Sequence, residues 1–473
     1  MVNMKMTFIE PPNDLRLRYG KLSSIGALMP SLGIACIAAV LKKNQHEADL
    51  IDPTAEGLSP QELEASIRHL KTDLVGMPVF TATYATAQKW VRTIKAIRPD
   101  LKIVLGGPHC SAFPAETLND IPADFLIQGE GEYPTLELLN RLNDAGDPAS
   151  VESLVWRKNG SLVVNPKAKL IENIDDLPLA DRSIFQLQNY HHSSEHRGQR
   201  VMHLMSSRGC PWACSFCTTQ LTFGKRLRYH SPKRIFEEMK SLVTDHHADE
   251  LFFYDDTLTA DKKRIAELCR LILDQRLKIP WGCYTRVDCV SPEILKLMAQ
   301  AGCYQINYGI ESGVQRLLDL IHKGFTLEQA RHAVKWTHEA GIETICNFMF
   351  ALPGETRDES QRTLDFAKEL NPTYAQFYLT LPYPGTPLYE LAKQHGTILT
   401  KSFEDFNKTP WEFVHYVPYG RTEEELAKWI KDAYRKFYLR PGHLPRSLGA
   451  LLKLPPRKIL GMIVSGLKII RNK

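Results

Sequence analysis

The chain of 473 residues has no run of the roughly 18 apolar side chains that a membrane-spanning helix needs. Its ten cysteines are too sparse for a disulfide scaffold. The start, Met1-Val-Asn-Met-Lys-Met-Thr-Phe-Ile9, lacks the layout of a secretory signal and reads directly into a strand. A reducing, cytoplasmic setting is therefore expected. Acidic residues are missing from the C-terminal stretch. Residues 440–473 hold Arg440, Arg446, Lys453, Arg457, Lys458, Lys468, Arg471 and Lys473 without one Asp or Glu. That leaves 51 of the 59 basic residues to face 54 acidic ones, so the body is slightly acidic and no nucleic-acid partner is expected. At 43% hydrophobic and 24% charged, the composition is that of an ordinary globular protein of two or three domains.

Against that plain background one run stands out, Ser207-Arg-Gly-Cys-Pro-Trp-Ala-Cys-Ser-Phe-Cys217. Cys210, Cys214 and Cys217 have C-x3-C-x2-C spacing. Three thiolates on a short loop can hold three irons of a cubane cluster and leave the fourth iron open to a ligand. Zinc would want a second C-x2-C or H-x3-H half-site, and none lies nearby. Val201-Met-His-Leu-Met205 reads as a buried strand, which puts the cysteines on a strand-to-helix loop.

Residues 1–140 alternate apolar strands with helical stretches, the pattern of a parallel α/β sheet. Strands are predicted at Met6–Ile9, Ala48–Ile51, Leu74–Met77, Ile103–Leu105 and Phe125–Gln128, and helices at Leu32–Lys43, Pro60–Leu70, Tyr84–Arg98 and Tyr133–Leu142. An open sheet of this kind binds ligands beyond its strand C-termini. The candidate loops there carry Asp52, Thr81, Thr83, Gly106, Gly107, His109, Gly129 and Glu130. Gly129-Glu-Gly-Glu132 is not a G-x-G-x-x-G loop, and its carboxylates would repel a pyrophosphate.

A second alternating series runs from about residue 200 to 395. Strands are predicted at Val201–Met205, Glu250–Tyr254, Trp281–Tyr284, Gln305–Tyr308, Thr344–Phe350 and Ala375–Leu381. Six such units make an open partial barrel. Polar groups gather at the strand ends: Asp255, Asp256, Arg286, Asp288, Glu311 and Ser312. Residues 145–200 read as an irregular linker whose His191, His192 and His196 belong to a solvated loop.

The cysteine run, with Phe216 as the aromatic before the third cysteine, resembles the radical S-adenosylmethionine (radical SAM) superfamily. So do Phe252-Phe-Tyr-Asp-Asp256, Cys283-Tyr-Thr-Arg-Val-Asp288, Ala301-Gly-Cys-Tyr-Gln-Ile-Asn-Tyr-Gly-Ile-Glu-Ser-Gly313 and Asn347-Phe-Met-Phe-Ala-Leu-Pro-Gly-Glu-Thr356. With the N-terminal half, the resemblance is to the cobalamin-binding branch, which includes the anaerobic magnesium-protoporphyrin monomethyl ester cyclase.

The resemblance implies an α/β chain. A Rossmann-like cobalamin-binding domain (1–145) and a linker (146–199) would precede an open (β/α)6 partial TIM barrel, the radical SAM core (200–395). An α-rich C-terminal extension with a basic amphipathic tail (396–473) would follow. It implies a [4Fe-4S] cluster on Cys210, Cys214 and Cys217, with S-adenosyl-L-methionine on the open iron. Glu311 or Ser312 would hold its ribose or amino-acid end, Arg286 its carboxylate, and Asp255 a weaker contact. Cobalamin would lie at the first domain's loops. Other cobalamin domains carry an Asp-x-His-x-x-Gly motif, but Pro53-Thr54 follow Asp52 here, so cobalt should lack a protein histidine. The implied reaction cleaves S-adenosylmethionine with one electron from flavodoxin or ferredoxin, and the 5′-deoxyadenosyl radical attacks an unactivated carbon. C-methylation is the first expectation, oxidative cyclisation the alternative, and a cobalamin or cluster sensor the non-enzyme alternative. A methylthiotransferase would need a second three-cysteine site, and only Cys36 and Cys110 lie upstream.

In the C-terminal region a helix is predicted over Thr422–Tyr438, with Glu423, Glu424 and Glu425 in its first turn and Arg435 and Lys436 in its last, which suits the helix dipole. It should close the open barrel and line the substrate side. Two readings fit the tail. Apolar Ile459–Ile470 among cations suits a peripheral segment on the inner membrane face, serving an apolar small-molecule substrate. It equally suits a docking arm onto the protein's own body.

Overall fold

A computed structural model describes residues 3–16, 20, 26–193, 195–408, 413–443, 445–446, 449, 452–455 and 458–459. Trp411 and almost all of Ile459–Ile470 lie outside the described residues.

The N-terminal sheet runs β1 (Lys5–Ile9), β2 (Glu47–Ile51), β3 (Leu74–Pro78), β4 (Lys102–Gly106), β5 (Phe125–Ile127), β6 (Leu154–Lys158) and β7 (Ser161–Val164). Their order is β2-β1-β3-β4-β5-β6-β7. β1 to β5 are parallel, and β6 and β7 add antiparallel strands. The expected linker is thus partly sheet. Apolar Leu154, Val155 and Trp156 are buried against β5 and its flanking helices, which recruits the hairpin into the domain. Helices Leu32–Lys43 and Glu132–Asn143 cover one face, and Pro60–Arg68 and Tyr84–Ile97 the other. The order in which strands are added reverses between β1 and β3, the switch point where such sheets hold ligands.

The second sheet is six parallel strands in simple order. β8 (Val201–Leu204), β11 (Glu250–Phe253), β12 (Trp281–Thr285), β13 (Cys303–Glu311), β14 (Glu343–Phe350) and β15 (Tyr374–Leu379) follow one another from edge to edge. Each is followed by helix, so the wall is an open partial barrel without closure between β8 and β15. Along each strand one side chain in two enters the helix-side core, as with Cys346, Phe348 and Phe350 of β14.

The C-terminal helix Glu423–Tyr438, capped by Thr422, lies along β15 and buries Leu426, Ile430, Ala433 and Phe437. Burial of a large apolar side chain contributes about 1.5–3 kcal/mol. Its tyrosines also satisfy the edge strand. Ala375 N donates to Tyr438 Oη at 3.0 Å and Phe377 N to Tyr434 Oη at 3.1 Å. The helix therefore blunts the barrel edge, as expected. Its apolar face enters the helix-side core and not the substrate side.

The described part of the tail docks on the barrel. Arg440 bonds Lys368 O and Asn371 Oδ1, Arg446 bonds Asn371 O, Lys453 Nζ sits 3.0 Å from Glu343, and Lys458 donates to the carbonyls of His196 and Gly198. His192 and His196 are buried and not solvated, because His196 Nδ1 lies 2.6 Å from Glu250 beneath the barrel.

Candidate active site

The cysteine loop rises from β8. Its base is the short antiparallel pair β9 (Ser207–Arg208) and β10 (Arg228–Tyr229). Gly209 adopts φ +88°, and a Cβ there would stand 2.2 Å from the carbonyl of Arg226, so only glycine passes this turn. The loop is then tied down from several sides. Cys210 N donates to Gly224 O, Cys217 N to Cys214 O, Ser215 N to Ile321 O and Leu388 N to Ser215 O. All three cysteines are partly exposed free thiols. Burial pushes Cys210 up to about 11. Burial also raises Cys214, with Lys323 and Arg286 pulling the other way.

The strand ends around this loop divide into anchors and open groups. Asp255 is 1% exposed. Its carboxylate accepts from Ser206 N, Ser206 Oγ and Ser207 Oγ, so it fastens the loop base and does not face a ligand. Asp256 is exposed, accepts from Thr219 Oγ1 at 3.0 Å, and is pushed up to about 6 by the surrounding protein and by Asp255. Ser312 is fully buried against Thr363 Oγ1 and accepts from Val314 N, which makes it a turn residue. Arg286 chelates Asp288 with Nε and Nη2 at 2.9 Å each and reaches Lys323 O. That leaves Nη1 3.8 Å from Cys214 Sγ, so the guanidinium is already engaged where the carboxylate of S-adenosylmethionine was expected.

Glu311 ends β13 at φ +72°, a strained value for a residue with a side chain, and strain of this kind gathers at functional sites. Its Oε1 accepts from Lys323 Nζ at 2.8 Å. Lys323 is 6% exposed and lies 5.4 Å from the Phe216 ring. Sequence reasoning missed Lys323 because a lone lysine in the loop His322-Lys-Gly324 carries no spacing signal.

At the N-terminal switch point the backbone is bare. A Cβ at Gly106 would meet nothing within 4 Å, while at Gly107, with φ +103°, it would meet Val79 O at 2.9 Å. Phe80 presents 46% of its surface there. The neighbouring side chains are mostly committed. Thr83 Oγ1 accepts from Phe80 N, and Thr81 Oγ1 bonds His109 Nδ1 at 3.1 Å. His109 is 1% exposed between Tyr84, Phe113 and Phe403, and burial lowers it to about 4. It faces the protein and not the expected cobalamin tail. Asp52 caps the turn Pro53–Glu56 and accepts from Tyr190 Oη at 2.7 Å.

Glu130 explains how the two sheets meet. It accepts from Arg208 Nη1 at 2.7 Å, Arg228 Nη1 at 2.7 Å and Ile171 N at 2.9 Å, and Glu132 takes the other arm of Arg208. These buried pairs join the β5 loop to the base of the cysteine loop, which differs from the ligand contact expected of Glu130. Gly129 lies close by, its Cβ position 3.7 Å from Thr222 O of the helix after Cys217. The helix Pro108–Ala112 after Gly107 packs against the helix Thr219–Phe223 after Cys217, so the crevice that an open sheet leaves beyond its strand ends lies beside the cysteine loop. The donor types fit the expected groups: three thiols on one short loop, each acting on the others' charge, for a cluster with an open iron, and a glycine-lined, aromatic-edged floor for a large flat ligand. A cavity of about 500 Å³ by His191, His192 and Asp249 holds none of these groups.

Comparison with known proteins agrees. The Radical SAM superfamily model matches residues 204–367 and the B12 binding domain model residues 21–139. An uncharacterized methyltransferase of Pyrococcus horikoshii is 32% identical over 464 residues, covering 97% of this chain and 98% of that protein. The anaerobic magnesium-protoporphyrin IX monomethyl ester cyclase of Cereibacter sphaeroides is 28% identical over 448 residues, covering 92% and 71%. Among solved structures, the radical S-adenosylmethionine methyltransferase TsrM of Kitasatospora setae, with cobalamin and a [4Fe-4S] cluster bound, aligns with a TM-score of 0.72 at 17% identity, covering 94% and 90%. That likeness shows the fold. The two matched domains imply a [4Fe-4S] cluster, S-adenosyl-L-methionine and cobalamin as cofactors and an enzyme as the product of their union. With a relative of this identity along nearly the whole chain, the protein belongs to the radical SAM superfamily, in the branch that carries a B12 binding domain.

Proposed function

We propose that the protein transfers a methyl group to an unactivated carbon of a small molecule. The observation that carries this is the packing of the helix after Gly107 (Pro108–Ala112) against the helix after Cys217 (Thr219–Phe223), which sets the bare edge at Gly106 and Gly107 beside the cysteine loop. When bound, the three cofactors supply radical generation and a transferable methyl group. The chain's part is to bind, orient and exclude water. Cys210, Cys214 and Cys217 each hold one iron. The Glu311–Lys323 pair and Asp256 surround the place for S-adenosylmethionine, offering an acceptor and a cation to its ribose and amino-acid groups. Among the described residues His109 is closed at the switch point, so the loops there would hold cobalamin without offering it a histidine. The electron comes from flavodoxin or ferredoxin. Turnover with methyl-labelled S-adenosylmethionine tests the reading, because methylation requires label in the product.

Oxidative cyclisation is the second reading, favoured by the extended similarity to the cyclase of Cereibacter sphaeroides. It would leave the product unlabelled. For the tail, four docked cations support the docking arm. No helix among the described residues is long and apolar enough to cross a membrane. Peripheral membrane contact would fall to Arg457, Lys468, Arg471 and Lys473, and sedimentation with anionic vesicles tests it.

A further inference from the structure

The inner wall of the barrel changes character from floor to mouth. Residues on the helix side are closed along their whole length, as with Ala375, Phe377 and Leu379 of β15. The opposite side chains open progressively. On β15 exposure rises from 8% at Tyr374, through partly open Gln376, to 41% at Tyr378. On β14, Ile345 is 2% exposed while Asn347 and Met349 are partly open. Phe252 is 2% exposed, and Tyr254, two residues on, is partly open, as is Tyr284 of β12. The rings of Phe252, Tyr254 and Tyr284 lie edge to face, 5.2–5.4 Å apart. Together these positions make a chamber that opens toward the strand C-termini, beside Glu311 and the cysteine loop.

Charge is confined to the chamber's floor and mouth. On the floor Glu250 is paired with His196 and Tyr304, and Glu343 with Arg197 and Lys453. At the mouth Glu311 is paired with Lys323. Glu195 lies at floor level, where its carbonyl accepts from Gln305 Nε2, and its charge acts on Tyr374 and Tyr378. Between floor and mouth, the inward positions of β11 to β15 carry Phe252, tyrosines, amides, Met349, glycines and Ile345, with no Asp, Glu, Lys, Arg or His. On the edge strand β8 the same face carries His203, closed against Tyr254 and kept neutral by burial. Asn347 Nδ2 already donates to Asn307 Oδ1 at 2.6 Å, so these amides are fixed in place. An ion entering here would lose its hydration without gaining a counter-charge, at a cost of several kcal/mol. A neutral framework meets tyrosine faces and keeps fixed amides for orientation.

We infer that this chamber binds the reacting part of the substrate as an uncharged, largely apolar carbon framework. It is held by the ring faces of Tyr254, Tyr284 and Tyr378 and oriented by Asn347 and Gln376. The inference rests on the reading of the crevice as the radical site, and it adds the chemical class of what enters. It also replaces the tail as the ground for expecting an apolar substrate.

The test uses the full-length protein loaded with cluster, cobalamin and S-adenosylmethionine. Equilibrium dialysis compares three probes with one ring system and different charge: 2-naphthol, 2-naphthoate and 2-naphthylmethylammonium. The neutral probe should bind at least about tenfold more tightly than either ion. Asn347→Asp should weaken naphthol binding by about the same factor and strengthen the ammonium probe. Gln376→Glu repeats this arm if Asn347→Asp fails to fold. Equal binding of charged and neutral probes, or naphthol binding indifferent to both substitutions, would overturn the inference. Iron, sulfide and cobalamin are measured in the same samples. Their absence from the unsubstituted protein defeats the proposed function, whereas charge-blind binding by loaded protein defeats only the chamber.

Discussion

Arg286 holds its Nη1 3.8 Å from the sulfur of Cys214 while Asp288 and the Lys323 carbonyl fix the rest of its guanidinium. The Trp212 ring lies 4.5 Å from it on another side. A cation so constrained cannot swing toward a ligand, but it can stabilise negative charge on a cluster thiolate. Hydrogen bonds to sulfur and local charge set iron–sulfur potentials.

Arg286→Gln should therefore lower the midpoint potential of the cluster, because the reduced form carries one more negative charge. A lost contribution of about 1.4 kcal/mol corresponds to about 59 mV for a one-electron couple. Redox titration followed by electron paramagnetic resonance reads the shift. Unchanged potential at full iron content would mean that the residue only shapes the loop.

Replacing Cys210, Cys214 or Cys217 with Ala should abolish cluster absorbance and S-adenosylmethionine cleavage together. Two thiolates leave a cubane with two unprotected irons. Near-normal iron and sulfide in the triple variant would reject the assignment.

His109 separates two ideas about cobalt. Its ring is packed against Tyr84 and Phe403 at 4.5 and 4.6 Å. His109→Ala should destabilise the first domain by about 2–4 kcal/mol through the cavity it leaves. It should leave the Co(II) resonance spectrum unchanged, and neither form should show splitting from a protein nitrogen. Such splitting, lost in the variant, would make His109 a ligand.

Much of this was legible in the sequence. The strands of both sheets fall within one or two residues of expectation, with β13 starting two residues earlier and ending three later, because unbroken apolar runs with short polar loops leave a buried parallel strand little choice. The cysteine loop was legible for the same local reason. Roles that depend on distant partners were not. Glu130 has the look of a ligand-loop carboxylate, but Arg208 and Arg228, 78 and 98 residues away, claim it. Asp255 and Asp256 are neighbours in the chain with opposite surroundings, one inside and one in the crevice. Spacing cannot tell such residues apart, because burial is decided by packing between elements. The β6–β7 hairpin was missed because its short apolar stretch lies between polar, irregular segments.

Glu130→Ala leaves Arg208 and Arg228 facing each other in a buried place. Arg228 is 4% exposed and Arg208 9%. Removing one partner of such a network costs about 3–5 kcal/mol. Thermal unfolding should show the loss, and limited proteolysis should cut between the domains first. Cobalamin retention should fall while the isolated thiol count stays the same. A variant as stable as the parent would mean that the two sheets are held together elsewhere.

Acid should unfold the protein through its buried histidines. Burial lowers His203 to about 3 and His109, His338 and His443 to about 4, and it lowers His192 strongly. Above the ordinary value of 6.5 both folded and unfolded states hold these rings neutral, and stability does not depend on them. Below 6.5 the unfolded chain takes up protons that the folded chain refuses, so stability falls until the pH reaches the folded values. Each fully buried ring contributes a loss of about 1–2 kcal/mol by pH 5. Glu10 and Glu355, raised by burial to about 8 and about 7, act in the opposite direction over part of this range, but the histidines outnumber them. The melting temperature should therefore drop between pH 6.5 and 4.5. His203→Phe keeps an aromatic ring beside Tyr254, whose ring lies 5.3 Å away, and removes one titrating group. Its melting temperature should fall less steeply over the same interval. An identical slope in the two proteins would show that His203 is not held neutral in the fold.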